Sequence, residues 1–232
     1  PGATQTKCGL PTAYGGDMTL AVLLRDEAAG AELRLYYTTY PAEDVITRRA
    51  ELVCTGAGLS IRKLMSLSLD LAERELKMTT FTGGWIREAH RCERAVEGTL
   101  VNESRTGFSS SRANPGFILS EREANEEHGR VWGFNLVYSG SHMSCVSADE
   151  RGSARVMCGI SPDRFDWRLE QGESFETPEA VMCFSAEGLG GMSRAMHDFV
   201  NRHIVRGPWA GRGRPGLVNA REGFMFDFDA RR

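Results

Sequence analysis

One pattern limits what this chain can become. Apolar residues recur at every second position, in short runs, over most of its length. Leu33, Leu35, Tyr37 and Thr39 alternate with Glu32, Arg34, Tyr36 and Thr38, and Met65, Leu67, Leu69 and Leu71 alternate with Ser66, Ser68 and Asp70. A two-residue period lays one side of an extended segment on a core and turns the other to water. Segment 61–71 is the clearest strand, and Trp132, Phe134, Leu136 and Tyr138 share one side of segment 131–139. Similar runs fall at 18–24, 44–53, 77–82, 117–120, 143–148, 154–160, 165–169 and 179–184. In the second half they recur roughly every ten to twelve residues, between Gly, Ser, Asp or Pro, which is the rhythm of a sandwich or barrel. No longer sequence repeat is visible, which speaks against a solenoid or propeller.

The period then changes. Across 187–205, Leu189, Met192, Met196, Phe199 and His203 recur at three- and four-residue steps, the mark of an amphipathic helix packed on the sandwich. Segment 206–214 (RGPWAGRGR) reads as a linker, and 216–228 as one more strand, expected to open a next domain.

Composition narrows the function classes. Lys and Arg number 28 against 31 Asp and Glu, a net charge of -3, so the electrostatic footprint of a nucleic-acid binder is missing. No apolar run approaches the roughly 20 residues of a membrane span. The opening PGATQTKCGLP lacks the basic and apolar regions of a signal peptide. Six cysteines, at 8, 54, 92, 145, 158 and 183, form no CxxC pair. They read as free thiols in a reducing cytoplasm.

Catalytic signatures are missing too. His90, His128, His142, His197 and His203 show no metal-ligand spacing, and neither a GxSxG elbow nor a phosphate-binding glycine loop occurs. Ser109, Ser110 and Ser111 form a polar run without a triad. Asp227 with Asp229, or Glu88 with Glu93, could be nominated for two-carboxylate glycoside chemistry, but nothing in the sequence makes either pair converge. The stretch that stands out is 81–115, read as a long excursion between two strands. It holds Trp85, between two glycines and a charged run. Sugars offer apolar C–H faces to aromatic rings and hydroxyls to polar groups, and Trp with Arg and Glu suits both. From the residues alone, a ring folded back onto the sandwich is an equal reading.

The segments LYYTTYPAEDVITRRAEL, LSLDL, FTGGWIREAH, SRTGFSSSRANP, VWGFNLVYSGS, RVMCGISPDRFDWRLEQGESFETPEAVMCFSAEGLGGMS and HDFVNRHIVRG together resemble the N-terminal domain of family 36 α-galactosidases. The resemblance implies a β-supersandwich related to the galactose mutarotase fold over 1–185, a linker helix and loop over 186–213, and the first strand of a (β/α)8 barrel over 214–232. It implies retaining hydrolysis of terminal α-galactosides, such as melibiose and raffinose-type sugars. Two Asp residues on later barrel strands would carry it, so this chain alone would be inactive, and no cofactor or metal is implied. The implied partners are galactosides, the catalytic barrel of the same chain, and further copies, since family members are often tetramers.

Residue by residue, Trp85 matches a position lining the galactoside pocket, and Asn219 and Glu222 match the N and E of the family's NxWE pattern. Arg221 stands where the family has Trp, and Ser111 where it has His. Strands expected before Gly9 are missing, which would leave sheet edges unpaired. A stand-alone carbohydrate-binding module and an inactive remnant are the alternatives to an α-galactosidase domain.

Overall fold

The computed structural model describes residues 9–110, 112–217, 219, 223, 225, 227 and 229. The strands, in chain order, are β1 (Met18–Asp26), β2 (Ala31–Tyr40), β3 (Val45–Cys54), β4 (Leu59–Ile61), β5 (Met65–Leu71), β6 (Leu76–Gly84), β7 (Arg87–Ala95), β8 (Thr99–Glu103), β9 (Ala113–Glu121), β10 (Val131–Val137), β11 (His142–Ala148), β12 (Ala154–Ile160), β13 (Trp167–Leu169), β14 (Ser174–Glu176) and β15 (Glu179–Ser185). One helix, α1 (Gly188–Phe199), follows and runs on as a π-helical turn over Val200–Ile204.

Nine strands form one antiparallel sheet in the order β1-β2-β3-β15-β10-β9-β6-β7, with β14 also beside β3. Four form a second sheet, β5-β12-β11-β8, and β13 pairs β4 in a small ladder. The two sheets enclose the main core. Leu76, Met78, Phe117, Leu119, Phe134, Leu136 and Ala180 of the large sheet meet Leu67, Leu71, Val146, Ala154, Val156 and Cys158 of the small one. The Phe117 and Phe134 rings stack at 4.8 Å. Each side chain buried here contributes about 1.5–3 kcal/mol of transfer free energy.

The opposite face of the large sheet carries α1. Leu189, Met192 and Phe199 press on Tyr40, Val45, Val131, Val181 and Cys183, as the three- and four-residue steps require. The central strands are therefore covered on both faces, which is why β15 reads as a nearly continuous apolar run rather than an alternating one. Gly133 sets how close α1 can come: a Cβ there would sit 2.6 Å from the Met192 sulfur and 2.8 Å from the Cys183 sulfur.

A strap of N-terminal chain ties the end of the helix down. Ala13 N–H donates to the Glu179 carboxylate at 2.7 Å, Tyr14 N–H to the His203 carbonyl at 3.1 Å, and Tyr14 O–H to the Val205 carbonyl at 2.9 Å. Arg206 donates to the Thr12 carbonyl and lies over the Tyr14 ring. Burial pushes the Glu179 carboxyl up from the usual carboxylate range, against the lowering effect of the Thr47 hydroxyl and the Ala13 N–H.

Three expectations need correction. Segment 61–71 is not one strand: β4 ends at Ile61 and pairs β13, whereas β5 starts at Met65 in the small sheet. A bulge between Cys158 and Gly159 breaks the register there, and Ser66, expected outside, is buried, with its carbonyl accepting from Arg48 at 2.6 Å. The excursion 81–115 is largely ordered sheet, containing the end of β6, all of β7 and β8, and the start of β9. It hid because β7 is an edge strand wet on both faces, so its charges do not alternate with apolar residues. The strand expected over 216–228 lies mostly outside the described residues, and Leu217 is exposed.

Candidate functional site

Strands β6 and β7 make a hairpin whose ladder runs from Lys77↔Ala95 to Thr82↔His90, then shifts to Gly84↔Arg87. Only Trp85 and Ile86 remain to turn the chain. The shift forces the backbones together, and a Cβ on Gly83 would collide with the Arg87 carbonyl, so no larger residue fits. Gly83 N–H donates to the Arg112 carbonyl at 3.2 Å, tying the hairpin to the loop before β9. At the tip, the Glu88 carboxylate accepts from Ile86 N–H at 3.0 Å. Ile86 has φ +68°, a conformation that β-branched residues rarely adopt and that persists where surroundings over-determine it.

The indole of Trp85 does not fold back onto the sandwich. It is 80% exposed, and its neighbour Ile86 is 72% exposed, at the far end of the large sheet from β1. Two clefts flank the hairpin. One, of about 290 Å³, opens between its base and α1, lined by Phe81, Ala89, Ile118, Asn135, Met196 and His197. The other, of about 340 Å³, lies beside Gly83 and includes Glu103, Arg105, Phe108 and Arg112, with Arg105 donating to Glu103 at 2.7 Å. These lining residues carried no sequence motif. Phe81 and Asn135 sit on strands far apart in the chain, and only the sheet order brings them to one cleft.

The other candidates are not gathered here. Glu88 is occupied at the turn, and Glu93 pairs with Arg91 and Lys77 along β7, so the two form no facing pair. Asn219 is exposed, while Ser111, Arg221 and Glu222 lie outside the described residues. Cys54, Cys92, Cys145, Cys158 and Cys183 are free thiols. Burial pushes Cys158 up to about 12 and Cys183 up to about 11, so neither is a thiolate nucleophile at neutral pH. Among the described residues no cluster of His, Cys, Asp and Glu could hold a metal, and no helix is long and apolar enough to cross a membrane.

A two-sheet sandwich, helix-backed, with an aromatic hairpin tip and no assembled catalytic set, defines the class: an accessory β-domain. The model of the glycosyl hydrolase family 36 N-terminal domain matches residues 2–170, and the melibiase model matches residues 174–232. The chain belongs to glycosyl hydrolase family 36. It is 39% identical to probable alpha-galactosidase G of Aspergillus terreus, over 95% of this chain and 31% of the relative. Its identity to alpha-galactosidase AgaA of Geobacillus stearothermophilus is also 39%, over 95% of this chain and 31% of that one. The crystal structure of a variant of the Geobacillus enzyme in complex with stachyose superposes with a TM-score of 0.91 at 38% identity, covering 98% of this chain and 32% of that one. The Lactobacillus brevis alpha-galactosidase superposes with a TM-score of 0.90 at 32% identity, over 98% and 31%. The chain therefore spans about a third of the length of the relatives it matches.

Proposed function

We propose that this chain is the non-catalytic N-terminal part of an α-galactosidase, and that its β6–β7 hairpin presents Trp85 to a terminal α-galactoside. The observation that carries the reading is the shared cleft: the hairpin base and α1 line its two walls. A catalytic barrel continuing from α1 would then begin on the side from which the indole projects. An exposed indole gives a sugar's C–H face an apolar wall, and the arginines and carboxylates along β7 offer hydroxyl partners. Proton transfer and nucleophilic attack would belong to two Asp residues outside this chain, in the retaining manner of glycosidases that form a glycosyl-enzyme intermediate. The same reading gives the sandwich a share in contacts between copies of the enzyme.

The test is Trp85→Ala in the full-length parent, assayed on an α-galactoside. Loss of stacking without loss of a catalytic group raises KM about tenfold and leaves kcat within about twofold, and Trp85→Phe restores most of the loss. An unchanged KM for Trp85→Ala rejects the pocket role.

A further inference from the structure

Strands β1 and β2 have two unlike faces. One carries a ladder of paired charges: Arg25 donates to Glu32 at 3.0 Å, Arg34 to Glu32 at 2.7 Å, and the Tyr36 hydroxyl to Glu51 at 2.9 Å, with Arg49 stacked over Tyr36. The other carries Met18, Leu20, Val22 and Leu24 on β1, opposite Thr39, Tyr37, Leu35 and Leu33 on β2. This second face points to the side of the small sheet, as Arg48 shows: it lies opposite Tyr37 in the register and donates to Ser66 on β5. The small sheet ends at β5, above β3, because four strands cannot cover nine. No described residue covers β1 and β2 on that side. Met18, Leu20 and Leu24 are 64%, 59% and 49% exposed, and Ile46 and Phe184 extend the patch along the end of the sheet.

An alternating strand whose apolar side is bare and whose polar side is paired has the pattern of an interior face without its partner. We infer that this face docks a second copy of the same chain, the two β1–β2 faces stacking about a two-fold axis as sheets do in a sandwich. Three features favour that occupant. Apart from Asp26 at its corner, the β1–β2 face is uncharged, so a copy meets it without like-charge repulsion. The strands are regular over nine and ten residues, with no proline to break a flat contact. The exposed side chains present on the order of 600 Å², near the ~800 Å² per partner of a stable interface. The inference rests on the reading that the sandwich joins copies, and specifies where.

Sedimentation velocity of the 232-residue chain between about 1 and 100 µM tests it. The expected result is a species of twice 25.6 kDa. Leu20→Arg with Leu24→Arg makes it a monomer with unchanged far-UV circular dichroism, while Leu23→Arg, on the other face of the same strand, leaves the dimer intact. A dimer insensitive to the double substitution overturns the face and spares self-association. A monomer at every concentration overturns both, and hands the face to another segment of the parent chain.

Discussion

At the scale of single residues, the hairpin tip is the most demanding place in the chain. Two residues turn β6 into β7, and one of them is a β-branched Ile86 at φ +68°. Asparagine tolerates that region far better, so Ile86→Asn should stabilise the chain by about 1 kcal/mol. Thermal unfolding would register this as a rise in Tm of about 2–4 °C for a chain of this size; a fall would mean that the isoleucine side chain makes contacts worth more than the strain. Trp85 was legible in the sequence because two glycines and a charged run leave an indole little to hide against. Ile86 was not, since nothing in a sequence marks a branched residue forced into a left-handed turn. The close approach at Gly83 was equally silent, because it depends on the shifted register between two strands.

At the scale of elements, alternation located most strands, and the switch to three- and four-residue steps located α1. It failed where an element is wet on both faces, as β7 is, or only three residues long, as β14 is. The strap was invisible because it consists of hydrogen bonds between segments at opposite ends of the chain. Its anchor has a pH consequence. The folded-state pKa of Glu179 is raised above its unfolded value, chiefly by burial. The folded form thus holds its proton more tightly, and the stability this gives is fully present below the unfolded pKa, near 4.5. It is lost as pH rises through the folded pKa. Glu179→Gln keeps an acceptor for Ala13 N–H without the buried charge. Urea unfolding of wild type and variant across pH 4 to 8 should show the variant gaining relative stability as pH rises. Parallel pH profiles would mean that water or the nearby arginines already compensate the charge.

At the scale of the whole molecule, sandwich, helix and family were readable before any coordinates. Alternation and spacing supplied the first two, and long matching segments in order supplied the third. The mismatch between a nine-stranded and a four-stranded sheet was not readable, because alternation says which side of a strand is apolar and never says what lies on it. The chemistry follows the same logic. No pair of carboxylates faces across a cleft near Trp85, so the purified 232-residue chain should not hydrolyse an aryl α-galactoside above the uncatalysed rate. Release of the chromophore by the chain alone would place a catalytic pair within it and refute the division of labour proposed above.

The Ala13–Glu179 contact and its neighbours join residues more than 160 positions apart. On the ribosome the strap emerges first and its seat emerges nearly last. Both sheets must be laid down before the clasp can shut, so the heading of the departing chain is settled late in synthesis by residues made at its outset. A lesion at Tyr14 would then misdirect everything translated after Arg206 while leaving the sandwich itself sound.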